Sequence, residues 1–282
     1  MTAGRPARRA VLGLAGLPLL AACGTPGRDP DPPEGARRLE YGEGPSRFAE
    51  LTRPAGTPRG VVVVLHGGFW LETYDLSLGR PLAEDLVGRG FAALTVEYRR
   101  VGGGGGFPAT LDDVSAAFDL LDGTDLLEGP VVALGHSAGG QLAAWAAGRD
   151  RLERWSAARV LPTHVVAQAG VLDLVAAAEE GLGAGATTEF LGGSPEEVPD
   201  AYAAADPLAA VPLDQPVWCV HGSGDDLVPF EQSVRYVDAA GAAGGRATLV
   251  EVDGGHLDLV DVDTPAWTRT VEVLEAIAPV PS

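Results

Sequence analysis

The chain has 282 residues, of which 46% are hydrophobic, and its formal net charge is −19 at pH 7. This length and hydrophobic content suffice for one large α/β domain with a sizeable core. The acidity argues against nucleic acid and anionic membrane surfaces as partners. Beyond the N-terminus, no apolar run approaches the ~20 residues of a membrane-spanning helix.

The N-terminal segment has the pattern of an export signal. Three arginines precede an apolar stretch over 11–20, and Leu-Ala-Ala-Cys at 20–23 resembles a bacterial lipobox. We therefore predict a lipoprotein signal peptide over 1–22, lipidation of Cys23 and a flexible tether over 23–36. The protein would then be exported, by Sec or twin-arginine transport, and anchored by lipid to the outer face of the bacterial cell membrane. An ordinary cleaved signal peptide with a coincidental cysteine is the alternative.

The remaining chain, 37–282, alternates strand and helix patterns. The run Val61–Leu65 is apolar throughout, as expected for a strand buried on both faces of a parallel sheet. Because strands alternate with helices, we predict an α/β-hydrolase type of architecture with a mostly parallel, doubly wound sheet. The predicted elements are edge strands within 37–51, strands at 61–65, 91–98, 131–134, 163–169, 217–220 and 247–252, and helices at 78–89, 111–121 (capped by Thr110), 141–147 and 264–278.

Two segments interrupt this alternation. Residues 173–210 contain several glycines and three prolines and are too long for a simple crossover. We expect a small cap insertion over the site, with a surface excursion as the alternative. The five-glycine run at 102–106 predicts a loop that either borders the pocket or serves as a slack linker.

The motif Gly-His-Ser-Ala-Gly at 135–139 lies between a predicted strand and a predicted helix. Strand, sharp turn and helix with serine at the tip form the nucleophile elbow of hydrolases. The glycines are needed because the turn is strained and the strand and helix approach closely. Ser137 is therefore the candidate nucleophile.

A serine hydroxyl needs a base, and the base needs an orienting acid. In α/β hydrolases the chain order is serine, acid, histidine, and this chain supplies it. Asp225 follows an apolar strand, and its spacing to the Val-Pro pair favours it over the adjacent Asp226. His256 follows the last strand in the same way. Since the carboxyl ends of parallel strands share one crevice, we expect these groups to meet Ser137 there.

The second requirement is a set of donors for the oxyanion. His-Gly-Gly-Phe-Trp at 66–70 follows a buried strand directly and places small residues where backbone N–H groups can turn inward. We assign the donors to Gly68, Phe69 and Ala138. Phe69 and Trp70 are candidate pocket walls, although a core position for Trp70 is equally compatible with the pattern.

The remaining histidines and cysteines indicate no metal centre. The five histidines are scattered without the short spacings of zinc-binding motifs, so no metal site is expected. His66, His136, His164 and His221 receive no catalytic role. Cys219 lies in an apolar strand and is expected to be a buried hydrophobe without a disulfide.

These motifs, with Tyr-Arg at 98–99 and Asp-Asp at 112–113, together resemble the esterase/arylformamidase branch of the α/β-hydrolase superfamily. This branch includes kynurenine formamidase-like and carboxylesterase-like members near the hormone-sensitive-lipase group. The resemblance covers about 58–280, implies the triad Ser137, Asp225 and His256, and implies no cofactor. Related carboxylesterases carry a third glycine where this chain has Phe69.

The sequence therefore predicts a serine hydrolase that cleaves carboxylic esters of small molecules through an acyl-enzyme. An arylformamidase or other amidase is the second hypothesis, with a formylkynurenine-like amide as substrate. A non-catalytic surface binding protein on a hydrolase fold is the third hypothesis, because a fold alone does not determine function.

Overall fold

Eight strands form one sheet in the computed structural model, which describes residues 32–280. The strands are β1 Arg37–Glu40, β2 Phe48–Thr52, β3 Val61–Leu65, β4 Ala92–Val96, β5 Val131–His136, β6 His164–Gln168, β7 Val217–Gly222 and β8 Ala247–Val252. Their spatial order is β1-β2-β4-β3-β5-β6-β7-β8. The β1–β2 and β2–β4 pairs are antiparallel, and all pairs from β4 to β8 are parallel. The predicted signal peptide, Cys23 and most of the predicted tether lie outside the described residues.

Helices cover both faces of this sheet. They are α1 Arg80–Gly88, α2 Ala109–Asp119, α3 Ala138–Gly148, α4 Leu174–Glu179, α5 Ala186–Leu191, α6 Pro199–Ala205, α7 Glu231–Ala242 and α8 Pro265–Ile277. Within residues 32–280, no helix is long and apolar enough to cross a membrane.

The central strand β3 shows why the sheet needs helices on both sides. Val61 and Val63 pack in one core with α2 and α3, whereas Val62 and Val64 pack in a second core with α1 and α8. Burying one such side chain contributes roughly 1.5–3 kcal/mol. An uninterrupted apolar strand therefore has a buried position for every residue, and the predicted doubly wound α/β fold is confirmed.

The chain order places a ligand crevice beside β3. After β3 the chain adds β4 on one side and returns to add β5 on the other, so the direction of winding reverses between β3 and β5. Leu65 pairs with Gly135 at the ends of these two strands. In open α/β sheets, ligands bind outside the carboxyl ends of strands at such a switch point.

The start of α2 differs from the prediction. The helix begins at Ala109, and Thr110 lies inside it rather than capping it. The Thr110 hydroxyl donates to the Arg99 carbonyl oxygen (2.6 Å) and accepts from the Gly106 N–H (3.0 Å). Thr110 therefore ties the preceding loop to the helix instead of satisfying the helix's own first N–H groups.

The glycine run at 102–106 was predicted to border the pocket or to serve as a slack linker, and both predictions are wrong. The N–H groups of Gly103 and Gly105 donate to the Arg100 carbonyl oxygen at 2.9 and 2.8 Å. A Cβ atom at Gly105 would overlap the backbone of Arg99 and Arg100. The run is a tightly folded turn, because only glycine permits such close backbone contact, and it does not line the cavity that holds the site.

Candidate active site

A strained turn joins β5 to α3 and carries Ser137 at its tip. Its backbone has φ 55° and ψ −120°, a conformation that costs a non-glycine residue about 1–3 kcal/mol. The Ser137 N–H donates to the Gln168 carbonyl oxygen (2.8 Å), which holds the turn against β6. A Cβ atom at Gly135 would overlap the carbonyl oxygen of Gly139, and one at Gly139 would overlap that of Leu65. Only glycine fits at both positions, so the chain forms a nucleophile elbow.

A carboxylate and an imidazole meet beyond β7 and β8. Asp225 Oδ2 lies 2.7 Å from His256 Nδ1. Asp225 Oδ1 accepts the N–H groups of Leu227 and Val228, each at 2.9 Å, so the carboxylate is held at both oxygens. The neighbouring Asp226 is exposed. Of the two adjacent acids, the structure therefore brings Asp225 to the histidine.

The environment of Asp225 favours its ionised form. Burial by itself raises the pKa of this carboxyl group. Hydrogen bonds from His221, His256 and the Val228 N–H outweigh the burial and hold the pKa of Asp225 below its ordinary value. The carboxylate is thus negative at neutral pH and fixes a proton on His256 Nδ1, which leaves Nε2 free to act as a base.

His221 contacts the same carboxylate, although sequence reasoning gave it no role. Its Nε2 lies 3.3 Å from Asp225 Oδ2 and 3.1 Å from the Val228 carbonyl oxygen. Both partners are acceptors, so Nε2 carries the proton, and Nδ1 accepts from the Ser233 hydroxyl at 2.7 Å. His221 is fully buried and positions the acid; its place at the end of β7, four residues before Asp225, was the available signal.

Two other buried histidines, His66 and His136, line the same cavity as Ser137. Burial, followed by the charge of His256, lowers the pKa of His136 to about 3, so its ring is neutral. His136 Nε2 donates to the His256 carbonyl oxygen (3.0 Å) and its ring lies 4.4 Å from that of His256. Burial also lowers the pKa of His66 to about 3. The Tyr98 hydroxyl donates to the His66 carbonyl oxygen (2.7 Å), and the two rings stack at 4.3 Å.

The segment after β3 turns its backbone into the site. Gly68, Phe69 and Trp70 have consecutive positive φ angles of 109°, 53° and 56°, which strains the two aromatic residues. A Cβ atom on Gly68 would overlap the side chain of Tyr74. Within residues 32–280, the N–H groups of Gly68, Phe69 and Ala138 bond no protein acceptor. Of these three predicted donors, Gly68 and Phe69 line the cavity described below, and Ala138 is the first residue of α3, directly after Ser137.

Ser137 and His256 line one cavity of about 490 Å³. Gly68 and Phe69 also line it, so Ser137, His256 and the glycine-containing segment after β3 share a single space. Most of the other lining side chains are apolar, and they include Val64, Tyr74, Leu78, Leu82, Leu227, Leu257 and Val260. A volume of this size falls in the range of about 300–1,000 Å³ that small-molecule sites occupy.

Phe69 and Trp70, the two aromatic residues of the segment at 66–70, lie in different environments. Phe69 lines the cavity. Trp70 is buried in the core, where its indole N–H donates to Gln141 Oε1 (3.0 Å) and its ring stacks on Phe190 at 4.6 Å. Of the two candidate pocket walls, only Phe69 therefore faces the substrate space.

The insertion at 173–210 packs behind this segment. Phe190 of α5 stacks on Trp70, and a Cβ atom on Gly183 would overlap the ring of Phe69. None of its residues lines the cavity. The insertion therefore contacts Phe69 and Trp70 but contributes no residue to the lining of the cavity.

Cys219 is free and fully buried, as expected, and burial raises the pKa of its thiol to about 12. Among the described residues, no group of three or more His, Cys, Asp and Glu side chains is placed to hold a metal ion.

Solved esterase structures share this fold. Thermogutta terrifontis esterase 2 phosphonylated by sarin aligns with a TM-score of 0.70 at 25% identity, over 88% of this chain and 96% of that one. A truncated carbohydrate esterase from gut microbiota aligns with a TM-score of 0.71 at 21% identity, over 86% and 95%. Esterase B from Lactobacillus rhamnosis with a tributyrin phosphonate aligns with a TM-score of 0.71 at 19% identity, over 87% of this chain and 86% of that one.

Sequence comparisons add one local match and one family. The non-reducing polyketide synthase ausA of Aspergillus calidoustus is 41% identical over 71 residues, which span 22% of this chain and only 3% of that protein. The profile of the BD-FAE family matches residues 51–239, more than half of the chain, including Ser137 and Asp225. The chain therefore belongs to the BD-FAE family, within the esterase superfamily of α/β hydrolases.

Proposed function

We propose that this carboxylic ester hydrolase is a serine esterase that cleaves small-molecule esters through an acyl-enzyme. Ser137 is the nucleophile, His256 the base and Asp225 the orienting acid. One observation carries the proposal: His256, held by Asp225 at 2.7 Å, lines the same cavity as the serine of a strained elbow. Nucleophile, acid and base in this chain order are the triad arrangement of α/β hydrolases.

In the first step, Ser137 Oγ attacks the ester carbonyl carbon while His256 Nε2 takes the hydroxyl proton. The carbonyl oxygen gains a negative charge and accepts hydrogen bonds from the N–H groups of Gly68, Phe69 and Ala138. Ala138 opens α3, so the positive end of that helix dipole adds to the stabilisation. The negative Asp225 stabilises the imidazolium that forms.

In the second step, the tetrahedral intermediate collapses and the bond to the alcohol oxygen breaks. The imidazolium of His256 donates its proton to that oxygen, which leaves as the alcohol. A water molecule then attacks the acyl-enzyme, again with His256 as base, and releases the acid and the free Ser137 hydroxyl.

The test is labelling with a fluorophosphonate probe, which reports an activated serine without knowledge of the substrate. We expect wild type to be labelled at Ser137, and Ser137→Ala and His256→Ala to remain unlabelled while folded. Asp226→Asn is the matched control and should label like wild type. Folded wild-type protein that resists the probe would contradict the triad and favour a non-catalytic binding protein.

A substrate panel then separates the esterase from the amidase. We expect p-nitrophenyl esters to be hydrolysed and N-formylkynurenine or other aryl formamides to be turned over far more slowly. The esterase neighbours of the same fold support this order. Formamide hydrolysis faster than ester hydrolysis would reassign the protein as an arylformamidase.

We further propose that Cys23 is lipidated and anchors the exported enzyme to the outer face of the bacterial cell membrane. The lipobox-like pattern at 20–23 and the basic, apolar segment before it support this. The wild type should partition into Triton X-114 and incorporate labelled fatty acid, and Cys23→Ala should do neither. Fatty-acid incorporation by both proteins would refute lipidation at this residue.

A further inference from the structure

The mouth of the Ser137 cavity carries a concentration of exposed hydrophobic side chains. Seven large hydrophobic side chains are exposed within residues 32–280. Four of them line this one cavity: Tyr74 at 37%, Leu78 at 48%, Leu227 at 44% and Leu257 at 65% exposure. Apolar side chains gathered at one exposed place mark a binding surface, whereas scattered ones do not.

These four side chains come from three distant parts of the chain. Tyr74 and Leu78 precede α1, Leu227 follows the acid in its loop, and Leu257 follows the base. The deeper walls are apolar as well, since Val64 and Leu82 line the cavity below them. The folding of the chain therefore gathers apolar side chains from distant segments around the cavity that holds Ser137.

Charged groups are missing from this surface. The chain has 39 acidic and 20 basic residues. Within the described lining of the cavity there is no Asp, Glu, Lys or Arg. Burying a charged substrate group against such walls without a partner is unfavourable, so the walls select an uncharged, apolar substituent.

The two sides of the cavity correspond to the two halves of an ester. Tyr74 packs on Gly68 of the predicted oxyanion segment, and Leu78 and Leu82, from the same part of the chain, line the same cavity. The acyl substituent is attached to the carbonyl group that this segment binds. The alcohol oxygen must instead lie beside His256, from which it receives its proton, and Leu257 is next to His256.

We infer that the enzyme acts on esters of aliphatic carboxylic acids longer than acetic acid, with the acyl chain packed along Tyr74, Leu78 and Leu82. This inference rests on the proposed serine esterase function and extends it to a substrate class. Each methylene moved from water to this wall contributes about fourfold to kcat/KM, the equivalent of ~0.8 kcal/mol. Butyrate esters should therefore exceed acetate esters by about fifteenfold if both added methylenes are buried.

The test measures kcat/KM for p-nitrophenyl acetate, butyrate, hexanoate and octanoate. We expect a rise from acetate to at least hexanoate in wild type. Leu78→Asn, at an exposed position that tolerates a polar residue, should lower the hexanoate-to-acetate ratio severalfold. Leu127→Asn is the matched control, because Leu127 is similarly exposed at 39% but lies outside the cavity; its ratio should equal that of wild type.

Three results would overturn the inference. One is a flat or falling acyl series, and another is an unchanged ratio in Leu78→Asn. The third is a rise in kcat/KM with chain length that occurs only when the alcohol of an alkyl acetate is lengthened. In each case, continued acetate turnover and probe labelling at Ser137 would leave the serine esterase proposal intact, so the two failures are distinguishable.

Discussion

Replacing Asp225 by asparagine should disable the enzyme while leaving its shape unchanged. The carboxylate has two occupied oxygens: Oδ1 accepts two backbone N–H groups at 2.9 Å, and Oδ2 faces His256 and His221. Asparagine keeps only one acceptor. Its oxygen is retained at the backbone N–H groups, because each N–H left without a partner costs about 1–3 kcal/mol where it is buried.

The asparagine NH2 group then faces His256 Nδ1. Because two donors repel, His256 must place its proton on Nε2 and present Nδ1 as acceptor. In that tautomer Nε2 cannot take the Ser137 proton, and the charge that stabilises the imidazolium is also lost. Such a tautomer change lowers kcat on the order of 10⁴-fold in serine hydrolases.

The assay compares kcat/KM for p-nitrophenyl butyrate and the rate of fluorophosphonate labelling in Asp225→Asn and Asp226→Asn. Thermal unfolding of both variants verifies that they fold. Asp226 is exposed, so its variant should stay within about twofold of wild type, since surface changes are usually within ±0.5 kcal/mol. An Asp225→Asn variant within tenfold of wild type, or a more severe Asp226→Asn defect, would refute the assignment of the acid.

Three further predictions concern stability and positioning. Gly139→Ala should prevent folding or abolish activity, because the new Cβ overlaps a backbone carbonyl oxygen. Gly88→Ala in α1 is the control: its Cβ meets no atom within 4 Å, so the variant should be as stable as wild type or more stable in thermal melts. Burial raises the pKa of Asp206 to about 7, above its unfolded value, so the folded state holds this proton more tightly. Wild-type stability should then fall as pH rises from about 4 through 7, and Asp206→Asn should flatten that denaturation profile. His221→Leu removes a charge-assisted hydrogen bond to Asp225 worth about 1.5–3 kcal/mol. We expect kcat to fall roughly ten- to a hundredfold while KM changes little. An unaltered kcat would contradict the positioning role of His221.

Much of the elbow was predictable because its determinants are local. The apolar run Val61–Leu65 and the glycines around Ser137 act on neighbouring residues, through burial on both strand faces and close backbone contact. The strand at 61–65 and the turn at 135–139 accordingly match the prediction. The order of nucleophile, acid and base along the chain was also visible without coordinates.

Other predictions failed where distant contacts decided the outcome. Thr110 has the residue type of a helix cap, yet its hydroxyl is used by Arg99 and Gly106. The glycine run at 102–106 has the composition of a slack loop, yet backbone contacts with Arg100 fold it tightly. The insertion at 173–210 contributes no residue to the cavity lining, and its contacts with Phe69 and Trp70 could not be read from the sequence.

The sequence by itself determined the α/β class, the strained serine turn and the candidate groups for a triad, because each depends on consecutive residues and their periodicity. Only the tertiary structure decided that His221 also contacts Asp225 and that Tyr74, Leu78, Leu82, Leu257 and Val260 line the cavity. Adjacent residues in a loop point in different directions, and their partners lie far away along the chain. Which side chains meet is therefore settled by the packing of loops at the sheet edge, which no local pattern specifies.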